Sequence, residues 1–153
     1  MYVYQITLEL DGNSFYPRSL INKLSNELCV KSACNPNEIY IFAGKERKAD
    51  FGTMTLKHHH NICLMNEDLT SYEEKYIIFL DNNYELLIQA GMENIDIRYE
   101  VFFTGDICNM NIFNKSILKK IAKYDVSLLL STYCMTKHKM MDLFNLPEKQ
   151  FEA

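Results

Sequence analysis

Most constraining for the architecture of this chain is an ungapped internal similarity. Phe15-Tyr16-Pro17-Arg18-Ser19-Leu20-Ile21-Asn22-Lys23-Leu24-Ser25 runs against Ile112-Phe113-Asn114-Lys115-Ser116-Ile117-Leu118-Lys119-Lys120-Ile121-Ala122, an offset of 97 residues. Each copy follows an alternating segment. In the first, Tyr4, Ile6, Leu8 and Leu10 oppose Gln5, Thr7 and Glu9; in the second, Ile97, Tyr99, Val101 and Phe103 oppose Arg98, Glu100, Phe102 and Thr104. Successive strand side chains point to opposite faces, so such alternation predicts half-buried strands. Inside each copy the apolar residues recur at helical spacing instead: Leu20, Ile21, Leu24 and Leu28 after Pro17, and Ile117, Leu118 and Ile121 after Asn114. Proline suits the first helical position and asparagine the N-cap. Two strand–loop–helix units predict an α+β fold, a mainly antiparallel sheet with helices packed on one face, in a duplicated ferredoxin-like arrangement.

Between the copies, 38–42 and 51–58 read as the strands of a hairpin whose charged connection is 43–50, and Ile62-Cys63-Leu64 reads as a short strand. Thr70 and Glu73 have capping-box spacing, and Tyr72, Tyr76, Ile77, Leu80, Tyr84 and Leu87 continue one apolar stripe to Gly91, which predicts a long helix. Residues 126–133 read as a further strand. One domain is thus expected over 1–134. Residues 135–153 form an extension in which Met140, Met141, Leu143 and Phe144 make either a short amphipathic helix before Pro147 or an apolar tail.

A chain of 153 residues with 48% hydrophobic and 24% charged residues can bury a core without metal or disulfide support. Five cysteines, an odd number with no C-x-x-C pair, suit free thiols in a reducing compartment. The start carries no signal-peptide pattern, and no apolar run approaches the ~20 residues that cross a bilayer. The expected location is the cytoplasm. A formal charge of −4 disfavours direct nucleic-acid binding and suits a basic partner. Lys115, Lys119, Lys120 and Lys123 read as one solvated helix face, and Lys45, Arg47 and Lys48 as a solvated loop.

Few constellations suggest chemistry. His58 and His60, if extended, share a face with Cys63 or Glu67 in reach, but this supplies two good metal ligands where a structural zinc needs four; the residues read as solvated, and no metal or cofactor is expected. Cys134 with His138 and Cys63 with His60 are the thiol–imidazole pairs nearest in sequence, neither in a recognisable motif. No G-x-S-x-G, phosphate loop or dinucleotide fingerprint is present. The expectation is a protein that is not an enzyme and acts by binding another. Glu67, Asp68, Glu73 and Glu74 cluster at the start of the long helix, where they either complement its dipole or form an anionic patch for a cationic partner. Tyr2, Tyr72 and Phe102 are candidate outward-facing anchors.

The element order, with Phe15-Tyr16-Pro17, Leu20 to Leu24, Gly52-Thr53-Met54 and Asn114-Lys115-Ser116 leading into Leu128 to Tyr133, resembles an uncharacterised bacterial family, domain of unknown function 4279, over Val3 to Cys134. That family often carries a tryptophan in its middle strands, and this chain has none. Small acidic proteins rich in Asn and Lys are also similar to the immunity proteins of contact-dependent growth inhibition and related polymorphic toxin systems. The resemblance implies a cytosolic inhibitor that binds a cognate protein toxin, commonly a basic nuclease, and covers its active site or substrate surface. The alternatives are a structural or regulatory binding module without a toxin partner and, third, a metal- or thiol-dependent enzyme. Homo-oligomerisation stays open.

Overall fold

The computed structural model describes residues 2–64, 67–105 and 113–147. β1 (Tyr2–Gly12) is followed by two 3₁₀ turns and by β2 (Leu28–Cys34), β3 (Ile39–Phe42), β4 (Lys45–Lys48), β5 (Gly52–His58) and β6 (Cys63–Leu64). Then come α1 (Leu69–Gln89), β7 (Asn94–Phe103), α2 (Lys115–Ile121), β8 (Ser127–Cys134) and α3 (Lys137–Phe144). The main sheet runs β2-β5-β1-β7-β8, and β6 pairs with the start of β1. All its pairs are antiparallel except β7 with β8. The chain is therefore α+β with a mostly antiparallel sheet, as the alternation predicts. No described helix is long and apolar enough to cross a membrane.

The alternation also places the core. Tyr4, Ile6, Leu8 and Leu10 of β1, Met54 and Leu56 of β5, and Ile97, Tyr99 and Val101 of β7 form one apolar face. Tyr76, Leu80 and Leu87 of α1 and Ile117 and Ile121 of α2 cover it. The opposite face carries the pair Arg98–Glu9, joined by two hydrogen bonds of 3.1 and 3.0 Å. At one end of that face α3 packs Met140 and Phe144 against Val3 and Phe102. So α1 and α2 share a face as expected, and α3 lies on the other.

The duplication does not hold. Its first copy forms only the turns Pro17–Ser19 and Ile21–Lys23, and Leu28 already belongs to β2. Of the expected stripe, Leu20 is fully buried, whereas Ile21 faces water. The chain is instead taken up by α1, where the Asn83 side chain accepts from Ser25 N at 3.0 Å and donates to Ser25 Oγ at 2.6 Å. Connectivity differs too: α2 links the adjacent parallel strands β7 and β8, whereas β5 lies between β1 and β2. Ile112, the first position of the second copy, lies outside the described residues.

Two chain ends are set differently from the sequence reading. The N-cap of α1 is Asp68, which accepts from Ser71 N at 3.2 Å and Ser71 Oγ at 2.7 Å. Thr70 is already helical, which removes the Thr70–Glu73 box. The expected connection 43–50 contains a strand: β3 pairs β4 with Phe42 opposite Lys45, leaving Ala43-Gly44 as the turn. Both turn residues have positive φ, 49° and 73°, the type I′ geometry whose twist matches that of the strands.

Candidate interaction surface

The β3–β4 hairpin forms a two-stranded sheet of its own. One strand is Ile39-Tyr40-Ile41-Phe42 and the other Lys45-Glu46-Arg47-Lys48. All four residues of the apolar strand are exposed: Ile39 by 70%, Tyr40 by 44%, Ile41 by 75% and Phe42 by 64%. An isolated hairpin of this size is marginal in water. Its root is therefore the structural question, and it is clamped: Asn37 N donates to Ala49 O and Ala49 N to Glu38 O, each at 2.8 Å. Arg18 Nε donates to both Glu38 oxygens at 2.8 and 2.9 Å, and Asn35 Nδ2 adds a bond of 3.1 Å. The Arg18 hydrogen bond holds the Glu38 carboxyl below the ordinary carboxylate range. A cleft of about 440 Å³ opens beside this root, lined among others by Arg18, Cys34, Glu38, Tyr40 and Phe51.

Charge is divided between hairpin and body. Over 38–50 three bases, Lys45, Arg47 and Lys48, balance three acids, Glu38, Glu46 and Asp50, so the net −4 of the chain resides in the remainder. A second exposed apolar element is β8, an edge strand without a charged residue, in which Leu128, Leu129, Leu130 and Tyr133 are exposed.

The acidic cluster expected to meet a partner is largely engaged within the protein. Glu67 is exposed, and its Oε2 accepts from Leu64 N at 2.6 Å. Asp68 caps α1. Glu74 pairs with Lys120 of α2 at 2.9 Å. Glu73 is only 2% exposed and accepts from Phe113 N at 2.8 Å, and burial pushes its carboxyl up to about 7. Tyr72 and Phe102 are buried as well, which corrects the expectation of outward anchors. The Tyr72 hydroxyl donates to His60 O at 3.0 Å and its ring lies 4.6 Å from His58. Phe102 is on the face that its alternation assigns, but α3 covers that face, and its ring packs between Tyr133 and Phe144 at 4.8 Å from each.

The structure brings the histidines and two of the acids together. His58, His60, Glu67, Asp68 and Tyr72 line a shallow depression of about 330 Å³. There His60 N donates to His58 Nδ1 at 3.0 Å and the two rings stack at 5.5 Å. Neither cysteine–histidine pair that is close in sequence is bonded. The Cys63 thiol is buried, donates to Leu64 O and is pushed up to about 12 by burial. Cys134 turns to Gly105 O, and His138 lies 3.4 Å from Asp142.

Sequence reasoning missed the hairpin surface because Lys-Glu-Arg-Lys reads as a solvated loop. The available signal was Ala43-Gly44 between two segments of strand composition. Comparison with protein-family models, curated proteins and solved structures returns no match for this chain.

Proposed function

We propose that the chain is a protein-binding inhibitor of the immunity type, which holds a cognate toxin domain in a tight complex through the β3–β4 hairpin. The observation that carries this reading is the run of four exposed apolar residues, Ile39 and Ile41 on one face and Tyr40 and Phe42 on the other, on a hairpin clamped at its root. Large apolar side chains clustered in the open on a folded domain mark an interaction site. Aromatic and aliphatic anchors at the centre of an interface supply most of its affinity. The clamp lowers the ordering cost of binding, because the hairpin is held in place before the partner arrives.

The acidic body complements this anchor. A net −4 outside the hairpin attracts a basic nuclease over a distance, and the neutral hairpin then contacts it without a like-charge penalty. Inhibition by coverage asks no bond-making chemistry of this chain. Its place of action is the cytoplasm, where the free thiols of Cys29, Cys34, Cys63 and Cys134 persist. The test is co-expression with the toxin domain encoded beside the gene. The chain is expected to protect the cells and to co-purify with the toxin, and loss of both with Ile39→Ser/Ile41→Ser is expected. Cells that die despite soluble wild-type chain would overturn the reading.

A further inference from the structure

Strand pairing brings together a cysteine and a histidine that are thirty residues apart. Cys29 lies on the edge strand β2, and β2 pairs with β5, whose end leads into His59. The Cys29 Sγ is 2.8 Å from His59 Nδ1. The other ring nitrogen, Nε2, is 2.7 Å from Asn26 O. A carbonyl oxygen can only accept, so Nε2 is the donor there, and the tautomer protonated on Nε2 turns Nδ1 to the thiol as an acceptor. This is the arrangement of a nucleophile, a base and a group that orients the base. Cys29 is partly exposed and His59 exposed, so a reagent can reach the sulfur. Directly across from Cys29 in the sheet is Lys57, whose side chain shares its face.

We propose that Cys29, with His59 as its base, is a modification site that undergoes thiol–disulfide exchange with anionic low-molecular-weight disulfides. The Cys29 thiol gives its proton to His59 Nδ1, and the thiolate attacks one sulfur of the disulfide. A Cys29–sulfur bond forms as the original sulfur–sulfur bond breaks, and the departing thiolate takes the proton back from the imidazolium. One disulfide and one thiol yield one mixed disulfide and one thiol, so no further oxidant is needed. Lys57 sets the preference for negative charge. Among the described residues the other thiols lack this arrangement: Cys63 is buried, Cys134 bonds a carbonyl, and burial raises Cys34.

The experiment treats the full chain, in a Cys108→Ser background, with oxidised glutathione and follows each cysteine by peptide mass spectrometry. Positioned general bases contribute on the order of 10²–10⁴-fold, so Cys29 is expected to react at least about tenfold faster than the exposed Cys134. His59→Gln is expected to bring Cys29 down to the rate of Cys134 with the melting temperature unchanged. Lys57→Glu is expected to slow the reaction with glutathione disulfide but not with the cationic disulfide cystamine. Equal rates at Cys29 and Cys134 in the wild-type chain would overturn the proposal, as would an undiminished rate in His59→Gln. A Lys57→Glu variant that treats the two disulfides as the wild type does would remove the anionic preference.

Discussion

Glu73 points into the core from α1, where its carboxylate accepts a hydrogen bond from Phe113 N. Burial lifts its carboxyl from 4.5 to about 7 in the folded chain. Between these values the native state binds more protons than the unfolded state, so stability falls as pH rises through this window. The penalty is absent below pH 4.5 and complete above about 7. A displacement of this size is worth at most about 3 kcal/mol, less where water screens the carboxylate. Glu73→Gln keeps an acceptor for Phe113 N and removes the charge. It is expected to gain about 1–2 kcal/mol at pH 8 and nothing at pH 4, and thermal unfolding at the two values checks it. At the start of the same helix, Asp68→Ala is expected to lower the melting temperature more than Thr70→Ala, since Asp68 accepts from Ser71 N whereas Thr70 Oγ1 accepts only a long bond of 3.4 Å from Asn114 Nδ2. The spacing of Thr70 and Glu73 misled because it fits a capping box two residues too late. Glu73 looks like a surface acid in the sequence, and only the approach of Phe113, forty residues away, shows why it is inside.

At the scale of elements, the sequence left 135–153 open between helix and tail, where α3 forms over Lys137–Phe144, whereas β1 and β7 were legible from their alternation and α1 and α2 from their apolar spacing. The segment after Pro17 was not, because Leu20, Ile21 and Leu24 imitate a helical stripe while contacts with α1 and β2 fix the backbone in 3₁₀ turns. Phe15 explains part of the constraint. It is fully buried, and its carbonyl oxygen would lie 1.8 Å from a Cβ added at Gly52. Gly52→Ala must therefore displace backbone, and it is expected to cost at least about 1–3 kcal/mol, read by denaturant unfolding. Gly91 after α1 is equally fixed, by a φ of 93° and the approach of Ser14 O. The position of Phe102 is a second limit of local reading. Alternation assigns its face correctly and says nothing of α3 arriving from elsewhere in the chain.

Over the whole molecule, the core between the sheet and α1 and α2 leaves the apolar residues of the hairpin and of the edge strand β8 outside it. Of the expected acidic cluster, Asp68 caps α1, Glu74 pairs with Lys120, Glu73 is a buried carboxyl and Glu67 accepts from Leu64 N. The proposed docking surface is therefore the hairpin, with the body's charge proposed to act by attraction at a distance. The salt dependence of association should accordingly survive hairpin substitutions, because screening acts on the body rather than on the anchor. The central measurement is a calorimetric titration of the toxin domain encoded beside the gene into the wild-type chain and into Ile39→Ser/Ile41→Ser. The expected result is saturable one-to-one binding to the wild type and binding weaker by on the order of 100-fold to the variant, at equal melting temperature. Equal affinity for both proteins, or no heat with the folded wild-type chain, would contradict it.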